Sequence, residues 1–392
     1  MKARPTVLFL SHDASRTGAP IQLLHLLRWL RRNADFDVEI LLRSGGPMEK
    51  EFRELGPVTV LRDQPPEDGF GRLRRARRKV DDAIGGVQWA HVVRRLARGG
   101  ISLVYSNTIT NGAALERLAR LKCPVLSHVH EIEPTIRLFG DENVRLVREH
   151  TTRFVACAEA VRSDLVGTFG VRPEIVDVVY GFVDPRDRSA EAVASMRASQ
   201  RAELGIPADA FVVGACGATD WRKGADVFVQ LARACKRRDD VADVHFIWIG
   251  GAAPGERRAN ELAHDLERLG LRSVVHFIGR RPDAVERFAA FDVFALVSRE
   301  DPFPLVCLEA AAFRQPVLCF DRAGGEPEFV EDDSGFVSPY LDVEDMAARI
   351  AQLASDPQLR RRLGERGMRK VDERYRVTVA GPRILGIVQS LL

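Results

Sequence analysis

Short apolar runs recur along this chain, each followed by a polar or glycine-bearing loop and then a helical pattern, and this alternation restricts its fold most. In the first half the runs cover residues 6–10, 38–42, 102–106, 124–130, 152–157 and 175–180. In the second half they cover residues 211–217, 245–250, 274–279, 293–297 and 316–320. Apolar runs of this length are typical of strands buried on both faces of a parallel sheet. Their alternation with helices predicts an α/β protein with doubly wound parallel sheets.

The length and the linker indicate two domains. A chain of 392 residues is too long for one ordinary domain and suits two of about 200 residues each. The sequence turns polar at Pro185, which predicts a linker there. We therefore expect two Rossmann-like domains, 1–184 and 185–375, that face a central cleft. A C-terminal helix over about 376–392 is expected to pack back on the first domain.

Composition narrows the class of protein. Apolar residues make up 45% of the chain and charged residues 29%, as in globular proteins. The formal net charge of +3 is close to balance and gives no reason to expect a nucleic-acid partner. Six scattered cysteines without a C-x-x-C pair indicate reduced thiols. No signal peptide is visible and no apolar run approaches about 18 residues, so the sequence predicts a cytoplasmic protein.

The stretch from Ser298 to Ala312 predicts a strand end, a proline-stiffened loop and an apolar helix. Glu309 is the only charged residue between Pro302 and Phe313. A carboxylate is costly to bury among apolar side chains unless it has a partner or a ligand. This carboxylate is therefore a candidate ligand-binding group. The alternative, equally open from this stretch alone, is that it lies on a solvent-exposed face.

The start of that helix is a candidate anion site. Pro304 is expected in the first helical turn, where its missing N–H costs nothing. The N–H groups of Leu305 and Val306 would then be free at the positive end of the helix dipole, ready for a phosphate. Asp301 is expected at the loop mouth and Glu309 about two turns into the helix. One end of the site would hold sugar hydroxyls and the other a ribose.

A basic turn follows the first strand of the second half. It carries Arg222, Lys223 and Gly224, and an arginine fork beside a lysine point charge suits a diphosphate. A basic turn in solvent is the alternative. The only D-x-D segment, 35–37, precedes a strand and indicates a turn. We therefore predict no metal, with cationic side chains neutralising the diphosphate.

Polar residues also follow strands in the first half, where doubly wound sheets bind their ligands. Asn107 and His130 each come just past a strand, and Gly18 lies in the first loop, before a helix expected over 21–32. His128 and His130 share one face of a strand but lack a third metal ligand at useful spacing. His130 is therefore expected as a polar substrate contact or a structural histidine. No G-x-G-x-x-G segment is present, so no dinucleotide cofactor is expected.

The region 72–98 is rich in arginine and is a candidate membrane-facing surface. Its cations are Arg72, Arg74, Arg75, Arg77, Arg78, Lys79, Arg94, Arg95 and Arg98, with Trp89 and residues 92–93 among them. Such a surface suits an anionic phospholipid or a lipid-linked pyrophosphate. A solvated helix face is the alternative.

Taken together, these motifs resemble those of a known family: the retaining glycosyltransferases of the GT-B fold, family four or group 1. The family phrase is S-x-x-E-G-F-G-L-x-x-L-E-A, and residues 298–310 read S-R-E-D-P-F-P-L-V-C-L-E-A. The resemblance implies that Glu309 holds the ribose of a nucleotide-sugar donor and that Asp301 lies near the sugar ring. It implies further donor contacts at Gly18, His130, Arg222, Lys223, Gly279, Arg280, Phe303, Pro304, Leu305 and Val306.

Three departures from the family pattern concern the donor. Asp301 is one methylene shorter than the family's Glu, and the neighbouring Glu300 is the alternative acid. Prolines 302 and 304 replace the two family glycines and stiffen the loop. Ala218 stands where the family usually has an arginine, which leaves Arg222 to take that role.

The function implied by the resemblance is transfer of a sugar from a nucleoside-diphosphate sugar to an acceptor hydroxyl, with retention at the anomeric carbon. The acceptor would be a sugar or a lipid-linked sugar, in polysaccharide, lipopolysaccharide or other glycoconjugate assembly. Two alternatives stay open. One is a nucleotide-sugar 2-epimerase of similar architecture, and the other is a non-catalytic member that acts as a partner-binding subunit.

Overall fold

The structure is a computed structural model that describes residues 4–61, 86–186, 189–240, 243–253 and 255–392. The chain divides into two compact units. One comprises Met1–Gly181 together with Val377–Leu392, and the other comprises Phe182–Arg376. Each unit is built around one parallel sheet.

The sheet of the first unit has seven strands within the described residues. They are β1 (Thr6–Ser11), β2 (Asp37–Leu42), β3 (Val58–Val60), β4 (Ile101–Ser106), β5 (Val125–Val129), β6 (Arg153–Ala156) and β7 (Val176–Val178). Their order is β3-β2-β1-β4-β5-β6-β7, with every neighbouring pair parallel. The order reverses between β1 and β4, which is where such sheets offer a ligand crevice.

The helices of this unit connect the strands. They are α1 (Gly18–Asn33), α2 (Glu49–Arg53), α3 (described over 86–98), α4 (Gly112–Leu118), α5 (Glu133–Leu138), α6 (Gly140–His150), α7 (Glu159–Ser163) and, from the end of the chain, α15 (Val377–Leu391). Helix α15 packs on α1, where Gly381 lies so close to Trp29 that a Cβ would be 2.6 Å from the indole. Arg383 donates to the carbonyl oxygen of Val178 at 2.7 Å.

The second unit has a six-stranded parallel sheet in its described part. Its strands are β8 (Phe211–Cys216), β9 (Val244–Ile249), β10 (Val275–Phe277), β11 (Val293–Ala295), β12 (Val317–Phe320) and β13 (Gly335–Ser338), in the order β10-β9-β8-β11-β12-β13. Its helices are α8 (Ala190–Glu203), α9 (Ala225–Lys236), α10 (Arg257–Arg268), α11 (Leu305–Ala312), α12 (Glu326–Val330), α13 (Val343–Ser355) and α14 (Pro357–Arg374).

The predicted fold class is confirmed for each unit, because both sheets are parallel, strand-helix alternating and buried between helices. The eleven predicted strands differ from their apolar runs by at most three residues in length, and seven of them are shorter than the run. Strands β3 and β13 were not predicted, because three or four residues with only two or three apolar side chains give too weak a pattern. In the described part of the chain, no helix combines the length and hydropathy needed to span a bilayer.

Candidate functional site

The basic turn lies between β8 and α9 and is held by its own backbone. The N–H of Lys223 donates to the carboxylate of Asp220 at 2.9 Å, and the N–H of Gly224 donates to the Asp220 carbonyl at 3.3 Å. Gly224 has φ +74°, and a Cβ there would lie 2.1 Å from the carbonyl oxygen of Val297. Only glycine fits this position. The turn therefore sits directly against the end of the segment that follows β11.

Asp301 receives the cations of that turn. Its side chain is 6% exposed, and its Oδ2 pairs with the Lys223 ammonium and accepts from the Ser298 hydroxyl at 3.2 Å. Arg222 Nη1 lies 3.9 Å from Oδ1 and also donates to the carbonyl oxygen of Glu300 at 3.4 Å. We expected Asp301 at the loop mouth; in the structure its side chain is buried, with Lys223 as its ion-pair partner.

A glycine-rich loop after β12 forms hydrogen bonds with the backbone of Asp301. The N–H of Asp301 donates to the Ala323 carbonyl at 2.6 Å, and the carbonyl of Asp301 accepts from the N–H of Gly325 at 3.3 Å. Gly324 has φ +140°, and a Cβ there would lie 1.7 Å from the carbonyl oxygen of Asp301. This close approach positions the acid from the side opposite to the basic turn.

Helix α11 begins one residue later than predicted. Pro304 is its N-cap residue in an extended conformation, with ψ 119°, and not part of the first turn. Cys307 donates to the Pro304 carbonyl at 3.2 Å, while the N–H groups of Leu305 and Val306 precede the first intrahelical bond. Phe303 is buried against Tyr375, with ring centroids 5.6 Å apart.

Glu309 is half-buried and lies about one turn into α11, closer to its start than predicted, because the helix begins at Leu305. Burial, with a smaller contribution from Glu309 and against an opposing effect of Lys223, raises the pKa of the Cys216 thiol to about 12. Glu309 and Lys223 therefore both act on the last residue of β8. The carboxylate lies at the same strand end as the basic turn.

The predicted base contact lies at the ends of β9 and β10. Gly279 accepts a 2.8 Å hydrogen bond from the N–H of Gly250, and Arg280 lines a cavity of about 550 Å³. Trp221 forms another wall of this cavity and is 64% exposed, with the Arg299 guanidinium 5.1 Å from its ring centre. The second unit thus places Arg222, Lys223, Asp301 and Glu309 at one edge of the sheet, with this cavity beside the basic turn.

In the first unit, Asn107 links His130 to the start of α1. His130 Nε2 lies 3.2 Å from Asn107 Oδ1, and Asn107 Nδ2 donates to the Ala19 carbonyl at 2.8 Å. Helix α1 begins at Gly18, three residues before the predicted start. Gly18 has open space around it, since a Cβ there would meet nothing within 4 Å.

His130 is a neutral polar group. Burial, reinforced by the nearby His12, lowers the pKa of His130 to about 3. Its ring lies against that of His128, with centroids 4.0 Å apart and the planes tilted by 41°, and His128 Nδ1 is 2.6 Å from the Tyr105 hydroxyl. Within the described residues, no three acidic, histidine or cysteine side chains form a set that could hold a metal ion.

Two residues of this cluster were missed by the sequence reasoning. Glu131 accepts from the N–H groups of Ile109 and His130 at 3.1 and 3.0 Å and from the Thr108 hydroxyl. His12 acts electrostatically on both Glu131 and His130. Both lie one or two residues past a strand end, the same signal that pointed to Asn107 and His130.

The arginine-rich region is described only from residue 86 onward, and its cluster over 72–79 lies outside the described residues. In the described helix, Trp89 and residues 92–93 are buried in the core. Arg95 pairs with Glu39 at 2.6 Å, while Arg94 and Arg98 are exposed. Trp89 and residues 92–93 are therefore core residues, whereas Val87 at the start of the described helix is exposed.

The chain has two Rossmann-like units, and the second carries cations, an acid and a helix start at one edge of its sheet. This is the architecture of GT-B glycosyltransferases. The structure of the Anabaena protein HepE in complex with UDP and glucose is similar, with a TM-score of 0.80 and 25% identity over 98% of this chain and 99% of HepE. The family model for glycosyl transferases group 1 matches residues 196–370, and that for glycosyltransferase family 4 matches residues 16–187. The chain belongs to the group 1, family 4 glycosyltransferases.

Curated relatives carry more specific names. The D-inositol 3-phosphate glycosyltransferase of Saccharomonospora viridis is 32% identical over 285 residues, covering 71% of this chain and 62% of the relative. The lipopolysaccharide core biosynthesis glycosyltransferase LpsD of Rhizobium meliloti is 34% identical over 203 residues, covering 51% of this chain and 53% of LpsD. The matches thus span about three fifths or less of the length of these relatives.

Proposed function

We propose that this protein is a retaining glycosyltransferase that moves a sugar from a nucleoside-diphosphate sugar to an acceptor hydroxyl. The observation that carries the proposal is the pairing of Lys223 and Arg222 with one buried acid, Asp301, at the end of β8. A second cation beside the ion pair leaves positive charge available to an anionic ligand. Further support comes from HepE, whose crystal structure contains UDP and glucose.

In this proposal the donor's diphosphate binds to Lys223 and Arg222, with the N–H groups at the start of α11 as additional donors. Glu309 holds the ribose hydroxyls, and the base lies at Gly279 and Arg280. These contacts follow the family resemblance and agree with the shared sheet edge of the second unit. No metal or cofactor is needed, because side-chain cations supply the charge.

The chemical step breaks the bond between the anomeric carbon and the diphosphate oxygen and forms a bond from that carbon to the acceptor oxygen. Negative charge grows on the departing diphosphate, and preorganised cations stabilise this charge more in the transition state than in the bound donor. A departing phosphate oxygen takes the acceptor's proton. His130, neutral at physiological pH, serves as a hydrogen-bonding contact in this proposal and not as a cation.

The acceptor is a sugar or a lipid-linked sugar in polysaccharide, lipopolysaccharide or related glycoconjugate assembly. The names of two relatives, one acting on an inositol phosphate and one in lipopolysaccharide core synthesis, support an acceptor of this broad class. Peripheral contact with an anionic membrane through region 72–98 belongs to the same proposal.

The test begins with a thermal-shift screen against nucleotide sugars, since a bound donor stabilises the folded state by mass action. Lys223→Ala is then compared with Lys236→Ala, an exposed lysine of α9 in the same unit. We expect Lys223→Ala to lose about 10²–10³-fold in transfer rate, a far larger effect than its loss of stability, because Arg222 remains as a cation beside Asp301. Transfer at the wild-type rate by Lys223→Ala would refute the assignment.

The same screen separates the alternatives. A 2-epimerase converts the donor without any acceptor, and analysis of the products would show a nucleotide sugar inverted at C2, with the nucleoside diphosphate still attached to the sugar. A non-catalytic member would gain no thermal stability from any nucleotide sugar. Retention is tested by the anomeric configuration of the product in an NMR spectrum.

A further inference from the structure

Glu326, the first residue of α12, is a buried acid for which the proposed mechanism has no use. It is 2% exposed, and neither of its carboxyl oxygens has a hydrogen-bond partner among the described residues. It directly follows the glycine-rich loop that is hydrogen-bonded to the backbone of Asp301. The titratable groups that face it are Cys307 of α11, Cys319 of β12, Asp301, Glu328 of its own helix and Tyr375 at the end of α14.

These neighbours leave Glu326 no means of carrying a charge at low cost. None of them is a cation, and Asp301 and Glu328 are acids that oppose a further negative charge. The Cys307 thiol is only a weak donor. An isolated carboxylate in such a place costs several kcal/mol more than the neutral acid, so the group stays protonated. Burial, followed by these acids, accordingly raises the pKa of Glu326 well above its usual range.

We propose that Glu326 is a positioning residue: as a neutral acid it adds no charge beside Asp301, the acid that pairs with Lys223 and Arg222, and its ionisation sets an alkaline limit on diphosphate binding. The inference rests on the proposed function, because it concerns how the same basic turn meets an anionic ligand.

The physical argument concerns competition for the two cations. Lys223 already pairs with Asp301, and Arg222 lies 3.9 Å from the same carboxylate. A second charge behind Asp301 would deepen the potential that holds both cations there. It would also repel the diphosphate. Together these two effects are expected to change the affinity for a diphosphate by about tenfold, which corresponds to an interaction of about one pKa unit.

The experiment measures UDP binding by calorimetry between about pH 6.5 and 9.5 for the wild type, Glu326→Gln and Asp332→Asn. UDP is the probe because HepE binds it. Glutamine keeps the shape and neutrality of the protonated acid, while Asp332 is an exposed acid a few residues away. Glu326→Met is a second neutral variant should the first fold poorly. Titration of UDP and of other alkaline groups affects all proteins equally, so ratios of Kd isolate Glu326.

We expect equal Kd values for the wild type and Glu326→Gln at the acid end of the range. At the alkaline end the wild type should bind UDP about tenfold more weakly than Glu326→Gln, with Asp332→Asn following the wild type. Parallel pH profiles for the wild type and Glu326→Gln would overturn the inference and leave the proposed function standing. Failure of the wild type to bind any nucleoside diphosphate across the whole range would overturn both.

Discussion

Replacement of Gly324 by alanine tests whether the glycine-rich loop positions Asp301. At φ +140°, a conformation that side chains rarely adopt, the new Cβ would lie 1.7 Å from the carbonyl oxygen of Asp301. Backbone cannot yield as a flexible side chain does, so the loop and the acid must separate. The exposed Gly386 in α15 provides a matched control, because a Cβ there would meet nothing within 4 Å.

The expected loss of stability follows from the contacts that must give. The strained φ costs about 1–3 kcal/mol for a non-glycine residue. The separation also removes the hydrogen bonds that Asp301 makes with Ala323 and Gly325, each contributing about 1 kcal/mol. Gly324→Ala should therefore lose about 3–5 kcal/mol in the free energy of unfolding. Gly386→Ala should gain about 0.5–1 kcal/mol, as alanine does in an exposed helix.

Urea unfolding followed by circular dichroism, together with UDP binding by calorimetry, checks this prediction. Gly324→Ala should also weaken UDP binding at a temperature where the variant is still folded, because Asp301 and its cations are displaced together. Stability within 1 kcal/mol of the wild type, combined with unchanged UDP affinity, would refute the reasoning. Loss of stability without loss of affinity would show that the loop supports the fold but does not position the acid.

Three further results are expected in the second unit. Asp301→Asn should tighten UDP binding by about tenfold, because Lys223 loses a competing anion, and it should also slow transfer. Weaker UDP binding in calorimetry would contradict this prediction. Arg201→Ala should cost about 3–5 kcal/mol in urea unfolding, because the guanidinium is 2% exposed and pairs with Asp292 at 2.7 Å, and a loss below 1 kcal/mol would be inconsistent with that burial. Because the fold raises the pKa of Glu326, wild-type stability should fall as pH rises above about 4.5. The Tm advantage of Glu326→Gln over the wild type should therefore widen between pH 5 and pH 8. A constant difference in Tm would argue against a buried neutral acid.

The fold followed from local pattern where that pattern was strong. Apolar runs of five to seven residues marked eleven strands, because strands buried on both faces need such runs. Strand β13 escaped notice because half of Gly335–Ser338 is glycine and serine, and only pairing with β12 makes it a strand. Helix boundaries at Gly18 and Pro304 were displaced by one to three residues, since local propensity does not determine where the first hydrogen bond forms.

The candidate site was predictable in its motif and not in its electrostatics. Lys223 stood out as a cation beside a glycine after a strand, and Glu309 stood out as the only charged residue in an apolar helix. Glu326 did not, because its sequence neighbours are polar and proline residues typical of a surface loop. Its burial arises from packing near Cys307 of α11 and Cys319 of β12, which its immediate sequence neighbours do not indicate. The pairing of Asp301 with Lys223, 78 positions apart, likewise depends on tertiary structure.

Because α15 belongs to the first unit, it affects the order in which the two units can complete their folds during translation. The first unit is discontinuous, and its last helix is made only after all of Phe182–Arg376 has been synthesised. At about 5–20 residues per second this delay is on the order of 10–40 seconds. During that interval the surface of α1 that receives Gly381, including Trp29, has no cover from α15. The second unit is continuous in sequence and is complete first. A chaperone would have most exposed surface to protect while the first unit still lacks α15.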